Sequence, residues 1–259
     1  MPGVDFQRRA NARMWSSARR VHAYETAGLR PAEVVVLERL SDDLTGRVLE
    51  VGCGAGRVTG HLARISDDLH AFDISPAMLE SARRGYPGVT FLLGDLREMS
   101  GYADASFDAV TLWCNVVDIL GQAERLTALA AVARIVRPGG VVVVCTHNLE
   151  NAALRRMPTT LPSGSARQRL RSFAGMPLSL YNHLRLAAHE QAGDGYAILN
   201  DEAHRFAALH YYVAIAEQER QLTAVGLNLE AVIDARGEQV GVAGAPRESP
   251  DLHFIARRR

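Results

Sequence analysis

Short apolar runs bounded by turn residues alternate with amphipathic stretches from residue 46 to 147, a rhythm that predicts strand, helix and strand in repetition. Val48 to Val51, with Glu50 set among apolar neighbours, reads as a buried strand. It runs at once into Gly52, Cys53, Gly54, Ala55 and Gly56, and residues 57–64 are compatible with a helix. A second strand over 69–72 ends in Asp73, with Ser75 as the N-cap and Pro76 as the first residue of the next helix. Residues 89–93 form a third strand leading into Gly94 and Asp95, and 107–114 a fourth leading into Asn115. A helix over 123–136 and the turn Arg137-Pro138-Gly139-Gly140 then deliver the continuous apolar run 141–145, which suits a central parallel strand. Such alternation argues for right-handed crossovers and a doubly wound α/β sheet.

The flanks break this rhythm. Residues 4–40 are helical in pattern, with Trp15, Val21, Tyr24 and Leu29 among several arginines, and Pro31 opens a second helix through Val34, Leu37 and Leu40. From 148 to 202, scattered proline, glycine and serine leave only patchy periodicity over a length too great for a plain connection, with short helices expected at 167–173 and 178–189. This stretch carries Arg155, Arg156, Arg167, Arg169, Arg171 and Arg185. Phe206, Leu209, Val213, Leu222 and Val225 then recur at helical spacing up to Gly226. Strands at 229–235 and 252–256, with no helix between them, should pair as antiparallel neighbours. The expected organisation is an N-terminal helical lid (1–45), a sheet core (46–147 with 203–259) and an inserted substrate cap (148–202).

Composition narrows the class without naming the chemistry. The 259 residues are 47% hydrophobic and 22% charged with zero formal net charge, as in an ordinary globular protein, and the absence of a cationic track speaks against a nucleic-acid partner. Lysine is absent, which removes Schiff-base chemistry. Cys53, Cys114 and Cys145 have no metal-type spacing, so no metal site is expected and free thiols in a reducing compartment are the simplest reading. No apolar run suggests a signal peptide or membrane span. A cytoplasmic monomer or homodimer is the expectation, with no membrane partner.

A bare glycine loop between strand and helix makes room for a nucleotide-like ligand beyond the carboxyl end of a strand, and an acidic residue about 20 positions later, here Asp73, can accept both ribose hydroxyls. An NAD(P)-dependent oxidoreductase shares this fingerprint. Against it, the glycines run G-x-G-x-G and the usual third one is displaced. Adenosylmethionine, with a ribose, an adenine, an amino group and a sulfonium but no phosphate, suits carboxylates at successive strand ends better than a pyrophosphate does.

The motif Glu50-Val51-Gly52-Cys53-Gly54-Ala55-Gly56, Asp73, Gly94-Asp95 and Arg137-Pro138-Gly139-Gly140 together resemble the class I S-adenosylmethionine-dependent methyltransferases, over roughly 30–147 and 203–257. The resemblance implies a Rossmann-like seven-stranded sheet, mostly parallel with an antiparallel C-terminal strand. It also implies S-adenosyl-L-methionine as cofactor. Gly52, Gly54 and Gly56 would line its methionine and ribose, with Glu50 near its amino group. Asp73 would hold the ribose hydroxyls, Asp95 with Leu96 the adenine, and Asn115 the region of the methionine. Ile74, Met78 and Tyr24 complete the expected cofactor site.

Methyl transfer from a sulfonium needs a nucleophile held about 3–3.5 Å from the methyl carbon, and a base only when the acceptor must lose a proton. Candidate bases are His147, just past the fifth strand, and the group His204, His210, Tyr211 and Tyr212 at the start of the expected long helix. A small-molecule O or N acceptor fits a site covered by lid and cap. A non-catalytic cofactor-binding regulator with the same fold is the remaining alternative.

Overall fold

The computed structural model describes residues 25, 27–151, 166–202, 205–241 and 246–259. The strands predicted from apolar runs form as β1 (Arg47–Val51), β2 (Asp68–Asp73), β3 (Thr90–Leu93), β4 (Phe107–Leu112) and β5 (Val136–Asn148). Val48, Leu49, Val51, Val110, Leu112 and all four valines from Val141 to Val144 are fully buried, as strands covered on both faces must be. The strands lie parallel in the order β5-β4-β1-β2-β3. Beyond β5 come β11 (Asp251–Arg258) and β9 (Leu227–Asp234), each antiparallel to its neighbour, so that β9 again runs with the parallel set. The two C-terminal strands therefore pair as the missing helix between them required.

The helices start where their caps dictate. In α1 (Pro31–Arg39) proline takes the first position and the Glu33 carboxylate accepts the Arg30 backbone N–H at 2.8 Å. After the single turn α2 (Thr59–Leu62) comes α3 (Pro76–Gly85), where the Ser75 hydroxyl accepts the Met78 N–H. The longer α4 (Gln122–Ile135) packs Leu129 and Val132 on one sheet face against Val142 and Val144, while Ala32, Val36 and Leu37 of α1 cover Val141, Val143 and Ile255 on the other. Because β1 to β5 are parallel, their carboxyl ends share one edge, which carries Asp73 and His147 at the strand ends and Gly52, Asp95 and Asn115 in the loops that follow.

These seven strands are the expected sheet, and among the described residues four short ones bring it to eleven. A two-residue β10 (Gln239–Val240) extends one end, and the hairpin β6 (Gln191–Gly193) and β7 (Tyr196–Leu199) joins β8 (His210–Val213), which pairs in parallel with the end of β5. The helix expected from Phe206 onward is thus a strand followed by the shorter α6 (Ile215–Ala224). All four β8 residues are buried, so no alternation marks them as a strand, and it is pairing with β5 and β7 that holds them extended. The two short helices expected in the insertion are one, α5 (Ala166–Leu186), which continues through Pro177. Residues 1–24, with Trp15 and Tyr24 of the expected lid, and Arg155, Arg156 and His204 lie outside the described residues. No helix among the described residues is long and apolar enough to cross a membrane.

Candidate active site

At the carboxyl edge of the sheet two adjoining hollows, enclosing about 560 and 400 Å³ of non-protein space with open solvent included, share Gly52, Asp73, Ile74, Val116 and Ile119. They form one groove across the ends of β1, β2 and β4. Gly54, Met78, Trp113, Cys114 and Asn115 line one half, and Gly94, Asp95, Leu96 and Arg97 the other.

The three loop glycines all have positive φ but serve different ends. A Cβ on Gly52 would meet Val116 Cγ2 at 2.2 Å, and one on Gly56 would meet the Tyr86 ring at 2.6 Å. At Gly54 nothing stands within 4 Å. Gly54 therefore bares backbone to the groove, whereas Gly56 lets Tyr86 pack against the loop. Gly54→Ala and Gly56→Ala share a left-handed backbone cost of about 1–2 kcal/mol. Gly56→Ala should lower the melting temperature further, because the Tyr86 ring must move. Gly54→Ala should instead lower cofactor affinity more than stability, and melting curves with calorimetric titration on both variants separate the two effects.

Asp73 closes the loop from the neighbouring strand: its carboxylate accepts the Gly54 N–H at 2.9 Å and the Ser75 N–H at 2.8 Å. Burial pushes this carboxyl up, against the pull of those backbone donors. Glu50 is 1% exposed and takes the Thr59 hydroxyl at 2.5 Å; burial pushes it up to about 8. Side chains alternate along a strand, and Glu50 ties β1 to the first turn of α2. Asp95 does line the groove, but Arg97 Nε sits 2.9 and 3.1 Å from its two oxygens, a pairing the sequence did not suggest. Leu96, Ile74 and Met78 stand on the groove wall as expected.

The far side of the groove is built on a carboxylate that sequence reasoning missed. Asp118 is fully buried; it accepts the Arg125 guanidinium at 2.5 Å, the Thr146 hydroxyl at 2.6 Å and the His147 backbone N–H at 2.7 Å. Burial pushes Asp118 up, but Arg125 and His147 outweigh it and hold the carboxyl below its ordinary range. His147 Nδ1 lies 2.8 Å from Asp118 Oδ2, an ion-pair contact whose angle falls short of a hydrogen bond. Burial pulls His147 down and Asp118 more than compensates, leaving the imidazole above its usual value. A lone aspartate inside Val116-Val117-Asp118-Ile119-Leu120 was the available signal, since a carboxylate within an apolar run must find a partner when buried.

Asn115, in left-handed backbone (φ 58°), connects this pair to the groove. Its Nδ2 is 3.0 Å from His147 Nε2, and its Oδ1 accepts the Cys145 thiol at 3.0 Å. With the amide donating, Nε2 of a neutral His147 is the acceptor and Nδ1 carries the proton toward Asp118. Beside it, His210 Nδ1 lies 2.9 Å from Asp201, the Tyr212 hydroxyl also donates to Asp201, and the tilted His147 ring packs with its centroid 5.3 Å from that of His210 and 4.8 Å from that of Tyr212. Tyr211 is turned to the opposite face of β8, under Arg125 and bonded to Gln221 at 2.9 Å. Burial pushes its hydroxyl up to about 12, while it is Tyr212 that packs beside His147.

Within this doubly wound sheet, with its bared glycine turn and an aspartate on the next strand tip, residues 48–140 match the family model of a methyltransferase domain. The chain is 37% identical over 98 residues to a demethylmenaquinone methyltransferase of Renibacterium salmoninarum, covering 38% of this chain and 40% of that one. It is 35% identical over 114 residues to a dTDP-3-amino-3,6-dideoxy-α-D-glucopyranose N,N-dimethyltransferase of Streptomyces fradiae, covering 44% of each. The chain thus spans less than half the length of these curated relatives. In fold it is similar to an amino pentose methyltransferase of Micromonospora echinaspora solved with S-adenosylmethionine bound, at a TM-score of 0.56 and 20% identity over 93% of this chain and 96% of that one.

Proposed function

We propose that the chain methylates an O or N atom of a small molecule, with the adenosyl cofactor in the groove and the acceptor between Asn115 and the His147, His210 and Tyr212 rings. The observation that carries this reading is the groove itself: Gly54 leaves open space where a side chain would stand, and Asp73 faces the same space from the neighbouring strand tip. S-adenosylmethionine, when bound, supplies an electrophilic sulfonium methyl. Asp73 would hold the ribose hydroxyls, the hollow at Gly94 to Arg97 would take the adenine, and Met78, Ile74 and Val116 would exclude water. The small-molecule acceptors named for the relatives, a quinone precursor and an amino sugar, support this class of substrate. Three unpaired cysteines fit a reducing cytosol.

His147 is the proposed base. Turning from Asn115, its Nε2 would take the acceptor's proton while Asp118 stabilises the imidazolium at Nδ1. The neutral form is the active one, so kcat/KM should rise with pH through an apparent value above the ordinary histidine pKa of about 6.5. His147→Ala should abolish that limb and cut turnover about 10²–10⁴-fold, with cofactor affinity nearly intact. A labelled methyl donor offered with a panel of phenols, quinols and amino sugars tests the activity directly. Cofactor binding without transfer to any acceptor would favour a regulatory protein, and binding of NAD in place of the adenosyl cofactor would overturn the assignment.

A further inference from the structure

Behind the groove wall, strand pairing collects a second set of reactive side chains. In the antiparallel register of β11 on β5, His253 lies opposite Cys145, and Asp251, two residues away, shares its face. A ligating atom from each of Cys145, Asp251 and His253 falls within 4.8 Å of the others. All three are buried, His253 and Cys145 completely. Both ring nitrogens of His253 and Oδ1 of Asp251 have no hydrogen-bond partner among the described residues.

Orphaned polar atoms on Asp251 and His253, in a cluster that includes a thiol, call for an occupant. A neutral imidazole carries one donor and one acceptor, and leaving a buried polar group unpaired costs free energy. Native interiors keep few such groups, and here one ligating atom from each residue lies within 4.8 Å of the other two. We propose that Cys145, Asp251 and His253 bind a divalent transition-metal ion of the zinc type, for which a mixed sulfur, oxygen and nitrogen donor set is suited.

On binding, the metal–sulfur bond replaces the Cys145 S–H bond and the proton leaves to solvent. The other carboxylate oxygen of Asp251 keeps its contact with Arg30 at 3.0 Å. Arg30 is itself half exposed. Losing the thiol proton also deprives Asn115 Oδ1 of its donor, so the ion would alter the polar wall of the groove from behind. Neither ion nor site depends on the methyl-transfer proposal.

The test uses the full chain stripped with a chelator and titrated with Zn²⁺ against a chromophoric competitor, then with Co²⁺ followed by absorption. One ion per chain and a thiolate-to-cobalt charge-transfer band are expected. The band should vanish in Cys145→Ser, and His253→Gln or Asp251→Asn should weaken binding by at least about 10–100-fold, the cost of losing even an outer-shell partner. Cys53→Ser should change neither. Substoichiometric binding, a cobalt spectrum without the charge-transfer band, or equal affinity in the folded variants would overturn the proposal. The wild-type cobalt spectrum decides by itself should the variants not fold.

Discussion

Asp118→Asn is expected to destabilise the fold by about 3–5 kcal/mol, the cost of leaving a buried cation without its counter-ion. Arg125 is wholly buried, and after the substitution it keeps contacts with Gln218, Gln221 and Thr146 but no anion. Against a total stability of about 5–15 kcal/mol this is a large fraction, and the urea midpoint should fall with little change in slope. Arg125→Met in the same chain should restore part of the loss, since an apolar residue of similar volume leaves no charge to neutralise. The pH dependence carries a sign. Because the Asp118 pKa is depressed by folding, its contribution is complete above the unfolded value of about 3.9 and disappears as pH falls through the folded value. His147 has the opposite sense: its raised pKa stabilises below about 6.5, and that part is lost as pH climbs through the folded value. Asp118→Asn also removes the carboxylate that raises His147, so the acidic limb of kcat/KM should move to lower pH while KM for the cofactor stays put. A purely structural role for Asp118 would lower activity without moving that limb.

Asp73→Ala should weaken binding of both S-adenosylmethionine and S-adenosylhomocysteine by about 100-fold or more. Two charge-assisted hydrogen bonds to ribose hydroxyls are worth about 1.5–3 kcal/mol each, and each 1.4 kcal/mol is tenfold in Kd. The same carboxylate holds the Gly54 and Ser75 amides, so part of the loss comes from a loosened loop. Asp73→Asn, which keeps one acceptor oxygen but no charge, should fall between wild type and alanine. Calorimetric titration measures all three proteins, and an affinity within twofold of wild type for Asp73→Ala would show that the ribose is held elsewhere.

The alternation of apolar runs with helical stretches made the order of β1 to β5 readable because those strands are buried on both faces and their helices are capped locally by Pro31 and by Ser75 with Pro76. The two C-terminal strands were readable for a simpler reason: no helix fits between them. Local chemistry also marked Gly52, Gly54 and Asp73, since a strand-to-helix turn at positive φ needs glycine whatever lies elsewhere in the chain. What escaped depended on partners distant in sequence. His210 to Val213 look helical when read with the residues after them and are a strand only because β5 and β7 offer free edges. Asp118 looked like one more residue in an apolar run until Arg125 and His147 were placed against it.

The linear chain by itself determined the doubly wound core, the bared glycine turn and the aspartate on the next strand, because each rests on contacts and backbone angles within a few residues. Only the tertiary structure decided which side chains meet. It turned Tyr211 away and Tyr212 inward, buried Glu50, paired His147 with Asp118, and brought Cys145 to His253 across more than a hundred residues. A strand's two faces and its register belong to its neighbours in the sheet, and neighbours are chosen by the burial of the whole fold.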